Sequence, residues 1–293
     1  MPCIGLLAGL GDHVLDVSAL AAAQGRHTPG DDLGWWDLDG PLGTLLATSF
    51  EAWRAASWGP FSQVEPDDIL PLPTVRLLAP VARPGKLMCI GLNYRDHAAE
   101  AKMDVPRAPV MFAKFGTSVT GPESEVVIPF GCEKADYEAE LAVVIGRRAK
   151  RVPPSEALHH VFGYTCFNDV SARDFQFADG QWVRAKAADT FAPMGPFVAT
   201  AAEVEDPHAL PIKFRLNGET MQNSNTDQLV FGIPEIIAHL SASMTLEPGD
   251  VIATGTPPGV GFARRPPVYL RPGDRMEVEI ASLGILANTV TRD

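Results

Sequence analysis

The chain has 293 residues, 46% of them hydrophobic and 20% charged, with a net charge of −12 at pH 7. That length supports a full core in one large domain, or in one large and one small domain. The acidic balance excludes a nucleic-acid surface, because no basic run exceeds Arg147-Arg148-Ala149-Lys150-Arg151, which reads as a solvated turn or as a charged rim for an anion.

No basic leader opens the chain and Gly11-Asp12-His13 comes early, so no signal peptide is expected. No apolar run reaches the length of a membrane span, which predicts a protein without membrane contact. Cys3, Cys89, Cys132 and Cys166 lie apart, without a CxxC pair or a Cys/His cluster, and fit reduced thiols in the cytoplasm. A loose acidic stretch over 30–43 and an Ala-rich helical patch around Ser49–Trp58 come next. Pro71, Pro73, Pro80 and Pro84 then mark a connector. The composition predicts a small N-terminal α/β domain over 1–75 and a large domain over 76–293.

The large domain reads as mostly β, rolled or barrel-like, in an α+β arrangement with few helices. Short β-branched runs stand at Glu125–Ile128, Leu141–Ile145, Ile212–Leu216, Val251–Ala253 and Met276–Ile280, punctuated by Gly and Pro. Ser155 is a candidate cap for a short helix through Phe162. Ile233, Ile237, Leu240 and Met244 follow helical spacing, with Pro234 suited to the first turn, and Pro248-Gly249-Asp250 ends that segment.

In DYEAELAVVIG, Glu138 and Glu140 alternate with Tyr137, Ala139, Leu141 and Val143. A period of two puts both carboxylates on one face of a strand. Two desolvated acids on one face repel unless a positive group lies between them. Asp169, at the mouth of the apolar run GYTCFND, adds a third carboxylate and points to a hard divalent cation. Earlier, after the short strand ending at Gly91, His97 and Glu100 are three apart on a helical turn and can touch. They are either an ordinary surface pair or an imidazole whose basicity a carboxylate raises.

From Pro84 onward the chain resembles the fumarylacetoacetate hydrolase family. The matching blocks are GLNYRDHAAEA, DYEAELAVVIG, GYTCFNDVSARDFQ, KAADTFAPMGP, LNGETMQNSNT and GDVIATGTPPGVG, in the family's order. The resemblance implies the family's own mixed β-roll, a homodimer, and Mg²⁺ or Mn²⁺ held by Glu138, Glu140 and Asp169. Oxygen-only ligands suit those ions better than Zn²⁺. It also implies that His97 is the general base, paired with Glu100, with a lid over Lys102–Pro109. Lys186 becomes the active-site lysine that stabilises charge on the substrate. Arg173 and Gln176 line the substrate end, although Arg173 equally suits an ion pair with a nearby acid. Thr256, on the TGTPPG loop, either binds a substrate carboxylate or belongs to a tight turn. Asp136 stands beside the metal pair or on the surface. Relatives read G-K-S-x-D-T around the lysine, whereas this chain has Ala185 and Ala187.

The implied substrate is a small 2-oxo acid chelated by the metal. Hydrolytic C–C cleavage of an acylpyruvate-like diketo acid is the first expectation. An oxaloacetate-type decarboxylase, or an enol–keto isomerase or hydratase of hydroxymuconate-type diacids, is the alternative. A non-catalytic binding protein is disfavoured, since the trio and the dyad are all present.

Overall fold

The computed structural model describes residues 5–7, 13–17, 21, 33–54, 69–101 and 105–293. Cys3, residues 55–58 of the Ala-rich patch and residues 102–104 of the expected lid lie outside them. The chain forms two compact units, Met1–Leu77 and Leu78–Asp293.

In the first unit, β1 (Gly5–Leu7), β2 (His13–Asp16) and β3 (Ile69–Pro71) form an antiparallel sheet in that order. Helix α1 (Pro41–Arg54) buries Leu42, Leu45 and Leu46, an i, i+3, i+4 stripe, and Trp35 is buried just before it.

The second unit is mostly β, as the sequence predicts. Its early elements are β4 (Leu87–Gly91), α2 (Arg95–Ala101), β5 (Val110–Lys114), β6 (Val119–Thr120), β7 (Glu125–Ile128), β8 (Ala135–Asp136) and β9 (Ala139–Ile145). After β10 (Val161–Asn168) and β11 (Ser171–Ala172) come α3 (Arg173–Asp179) and α4 (Val183–Lys186). The chain closes through β12 (Ala192–Thr200), β13 (Pro211–Leu216), β14 (Glu219–Asn225), α5 (Ile233–Ser243), β15 (Val251–Ala253), β16 (Arg275–Ile280) and β17 (Gly284–Arg292).

Among the described residues, seven strands order as β5-β4-β15-β9-β10-β12-β6, and five as β14-β13-β16-β17-β7. Odd-numbered residues of β9 (Ala139, Leu141, Val143, Ile145) share one core with Ile212, Phe214, Val278 and Ile280 of the second sheet. Tyr137 stacks on Phe214 at 4.2 Å between ring centres. Strand β9 is buried on both faces, so Glu140 projects away from that core into an environment closed to water.

Helix α5 starts behind Gly232, whose N–H donates to Glu235 at 2.7 Å, and buries Ile233, Ile237 and Leu240. The Ser155 expectation is corrected: Pro154–His160 is a 3₁₀ helix, Ser155 caps nothing, and β10 already begins at Val161. Arg147–Arg151 forms a largely exposed turn, with Lys150 donating to the Ser243 carbonyl. Among the described residues no helix is long and apolar enough to cross a membrane.

Candidate active site

Antiparallel pairing assembles the acids. Strands β9 and β10 pair with Phe167 opposite Glu140 and Asn168 opposite Ala139. Just past β10, the Asp169 N–H donates to the Glu138 carbonyl at 2.8 Å, and the Asn168 side chain accepts from the Glu138 N–H at 3.0 Å. Glu138, Glu140 and Asp169 are all buried, with one carboxylate oxygen of each within 4.8 Å of the others.

Cations crowd two of these acids. Lys186 Nζ donates to Glu138 Oε2 and Asp169 Oδ2, both at 2.7 Å. Arg173 donates to Glu138 Oε1 at 2.6 Å and to Asp136 Oδ2 at 2.9 Å. Lys114, at the end of β5, donates to Asp169 Oδ1 at 2.6 Å and to the Val170 carbonyl at 3.1 Å. Burial alone would raise the Glu138 carboxyl, but Lys186 and Arg173 outweigh it and hold it well below the usual carboxylate range. Burial likewise opposes charge on Lys186, and Asp169 and Glu138 overcome it, so its ammonium stays protonated.

Glu140 is different. Its Oε2 accepts from the Gly255 N–H at 2.9 Å, and among the described residues it has no ion-pair partner. Burial, then the neighbouring Asp169 and Glu138 charges, push its carboxyl well above the usual range. Three buried carboxylates, one of them uncompensated, fit a hard divalent cation such as Mg²⁺ or Mn²⁺. Gly255 has to be glycine here: its φ is +109°, and a Cβ would come 2.8 Å from the Asn93 Cβ.

Helix α2 brings up the dyad. His97 is 6% exposed, and its Nδ1 lies 3.3 Å from Glu100 Oε2. The Glu100 carboxylate also accepts from the Gly259 N–H, at 3.1 Å to each oxygen, which ties α2 to the TGTPPG loop. Asn93 anchors the base of α2 by donating to the Thr254 and Phe231 carbonyls and accepting from the Phe231 N–H.

Other sites expected from the sequence land as follows. The Arg173 guanidinium is held by Asp136 and Glu138, lies 4.4 Å from the Phe262 ring centre, and donates to Gln176 at 2.9 Å. Of its two readings, the ion pair is the one present in this geometry, and Gln176 contacts Arg173. Thr256 gives its one hydroxyl hydrogen to the Ala139 carbonyl at 3.0 Å and accepts from Gln222 at 2.9 Å. A substrate contact through that hydrogen requires the Ala139 bond to break. Asp136 is not on the surface. It is fully buried and accepts from the Tyr137, Gly261 and Phe262 N–H groups as well as from Arg173.

Two residues escaped the sequence reading. Lys114 ends an ordinary alternating strand, VMFAK, and no local signal marks it as buried beside an acid. Gln222 of β14 accepts from the Ala139 N–H and donates to Thr256 and the Pro257 carbonyl, fastening the strand that carries Glu140. A glutamine in the polar run ETMQNSN gives no hint of that either.

The site's sequence and fold also match known proteins. Residues 86–291 match the model of the fumarylacetoacetate hydrolase C-terminal domain. The chain belongs to the fumarylacetoacetate hydrolase family. It is 48% identical over 224 residues to a mitochondrial oxaloacetate tautomerase of Bos taurus, covering 76% of this chain and 71% of that one. The human counterpart matches at the same identity and coverage. Among solved structures of the family, a 2-hydroxyhepta-2,4-diene-1,7-dioate isomerase from Mycobacterium marinum is 40% identical. That alignment has a TM-score of 0.68 and covers 77% of this chain and 81% of that chain. A fumarylacetoacetate hydrolase from Exiguobacterium antarcticum is 35% identical, with a TM-score of 0.79 over 99% and 95% of the two chains. Fumarylacetoacetate hydrolase relatives with these names carry out more than one chemistry on this fold, so the family alone does not choose the reaction.

Proposed function

We propose that this chain enolises an oxaloacetate-like 2-oxo dicarboxylate, shuttling a proton between the substrate's C3 and His97. The observation that carries the reading is the Lys186 ammonium, buried and 2.7 Å from both Glu138 and Asp169, beside an uncompensated Glu140. A cluster of fixed charges closed to water is suited to an oxygen that becomes negative as the substrate enolises. The oxaloacetate tautomerases at 48% identity supply the substrate class, and the isomerase of a 2-hydroxy diene diacid supports the enol chemistry.

The roles follow from the bonds. Glu100 holds His97 through Nδ1, which fixes the tautomer and leaves Nε2 to take and return the proton. Lys186 faces the substrate oxygen that gains charge. Lys114 and Arg173 hold the Asp169 and Glu138 carboxylates in place through buried ion pairs. Glu138, Glu140 and Asp169 are the residues that would hold Mg²⁺ or Mn²⁺. Such an ion, when bound, supplies Lewis acidity at the 2-oxo group.

The acylpyruvate hydrolysis that the sequence ranks first remains the second reading, favoured by the Glu100-oriented imidazole, which can equally activate a water. Three assays on the Mn²⁺-supplemented protein separate them: decay of the ultraviolet enol band of oxaloacetate, release of CO₂ from oxaloacetate, and cleavage of acetylpyruvate. The expected result is accelerated enol decay, reduced about 10²- to 10⁴-fold in His97→Ala. Acetylpyruvate cleavage that outpaces enol conversion would overturn the tautomerase reading in favour of hydrolysis, and CO₂ release that outpaces it would favour decarboxylation.

A further inference from the structure

Four buried carboxylates meet at the site, Asp136, Glu138, Glu140 and Asp169, and three cationic side chains answer them, Lys114, Arg173 and Lys186. All four oxygens of Glu138 and Asp169 therefore carry a cationic partner. A dication drawn to the trio has to share or take over one of those contacts.

The three cations are anchored unequally. Arg173 has two further holds, Asp136 and Gln176, and lies over the Phe262 ring. Lys114 also donates to the Val170 carbonyl. Lys186 Nζ has no such second hydrogen-bonded anchor among the described residues. Beyond its two carboxylates, it lies 5.0 Å from the Phe112 ring centre. It is also the one that touches two of the trio Glu138, Glu140 and Asp169 at once, on a flexible four-carbon stem.

We infer that Lys186 is the built-in placeholder of the cation site: its ammonium bridges Glu138 and Asp169 until a divalent ion takes that position, and is then free to turn to the anionic ligand. The inference rests on the reading of the trio as a metal site, and it adds an order of events to it. Charge accounting supports the coupling. Three cations against four carboxylates leave one net negative charge. With a dication, which holds all four carboxylates ionised, the balance becomes one net positive charge, and that favours an incoming anion. Metal and 2-oxo acid then strengthen each other's binding, and a neutral residue at 186 weakens that reinforcement. A lysine that serves only as scaffold, holding the two carboxylates in position for the ion, makes the opposite prediction. Its removal would leave the ion bound less tightly.

The test is calorimetric titration of the full chain with Mn²⁺, with and without oxalate, for the wild type, Lys186→Met and Lys186→Gln. Gln keeps a donor for the carboxylates while removing the charge, so it decides the matter if the Met variant fails to fold by circular dichroism. The expected result is Mn²⁺ binding tightened at least about fivefold in the neutral variants, the low end of coupling between sites. Oxalate should tighten Mn²⁺ binding more in the wild type than in either variant. Unchanged or weaker Mn²⁺ binding by a folded Lys186→Gln protein overturns the placeholder and leaves the metal site standing. A wild type that binds no Mn²⁺ overturns the metal reading and the placeholder together.

Discussion

The acids gathered where β9 pairs with β10 and the dyad of α2 are held in contrasting ways. Around Glu138 and Asp169 every carboxylate oxygen has a charged partner within 2.7 Å, and the groups are buried. The dyad depends on one 3.3 Å contact and on Glu100, an exposed residue that reaches across to Gly259. Buried ions are costly to desolvate and more costly to orphan, so the first region is committed to one geometry. The second holds His97 through one side-chain contact, with little fold stability at stake. On the proposed function, stability and proton transfer are divided between two regions, and substitutions should separate them.

The largest effect is expected from Glu138→Ala, which leaves Lys186 and Arg173 without a shared partner. Breaking a buried pair of this kind costs about 3–5 kcal/mol, read as a lower midpoint in urea unfolding, and Mn²⁺ binding should disappear with it. Lys114→Met should follow at about 3 kcal/mol, since Asp169 keeps only Lys186. A midpoint shift no larger than that of a surface substitution would show that the crowded charges do not hold the fold.

For the dyad the expectation reverses. His97→Ala should lower turnover about 10²- to 10⁴-fold while moving the unfolding midpoint little. Glu100→Gln keeps an oxygen for Gly259 but loses the carboxylate on His97, and should cost about 10- to 100-fold in turnover. If Glu100→Gln unfolds the protein as readily as Glu138→Ala does, the division between the regions is wrong.

The smallest effect concerns how tightly the acid side is sealed. Burial, then the nearby Asp169 charge, push the Cys89 thiol far up, and burial raises Cys132 and Cys166 to about 12. Iodoacetamide at pH 8 should leave all three unmodified in the native protein and label them after unfolding, as read by mass spectrometry. Labelling of Cys89 in the native state would show that solvent reaches the acids.

Much of this was legible in the chain itself. The alternation of Tyr137 to Val143 put Glu138 and Glu140 on one strand face, because a period of two is a local property of extended backbone. The spacing of Ile233, Ile237 and Leu240, with Pro234 in the first turn, fixed α5 for the same kind of local reason. The three-residue step from His97 to Glu100 placed them in reach of one another. Ser155 misled, because Pro153 and Pro154 favour a tight 3₁₀ turn that gives way directly to a buried strand.

What the tertiary structure decided is which cations answer the acids. Lys114 is 55 residues from Asp169 in sequence, Arg173 is 35 from Glu138, and Gln222 is 83 from Ala139. No local pattern reports such partners, because a lysine at a strand end looks the same in solvent and beside a buried carboxylate. Sheet order and register bring them together: β5 edges the sheet whose middle carries β9 and β10. The sequence by itself determined that Glu138 and Glu140 would share a strand face and, with Asp169 as a third acid, need positive charge. Only the packing of distant strands decided that Glu138 and Asp169 receive it from side chains while Glu140 does not.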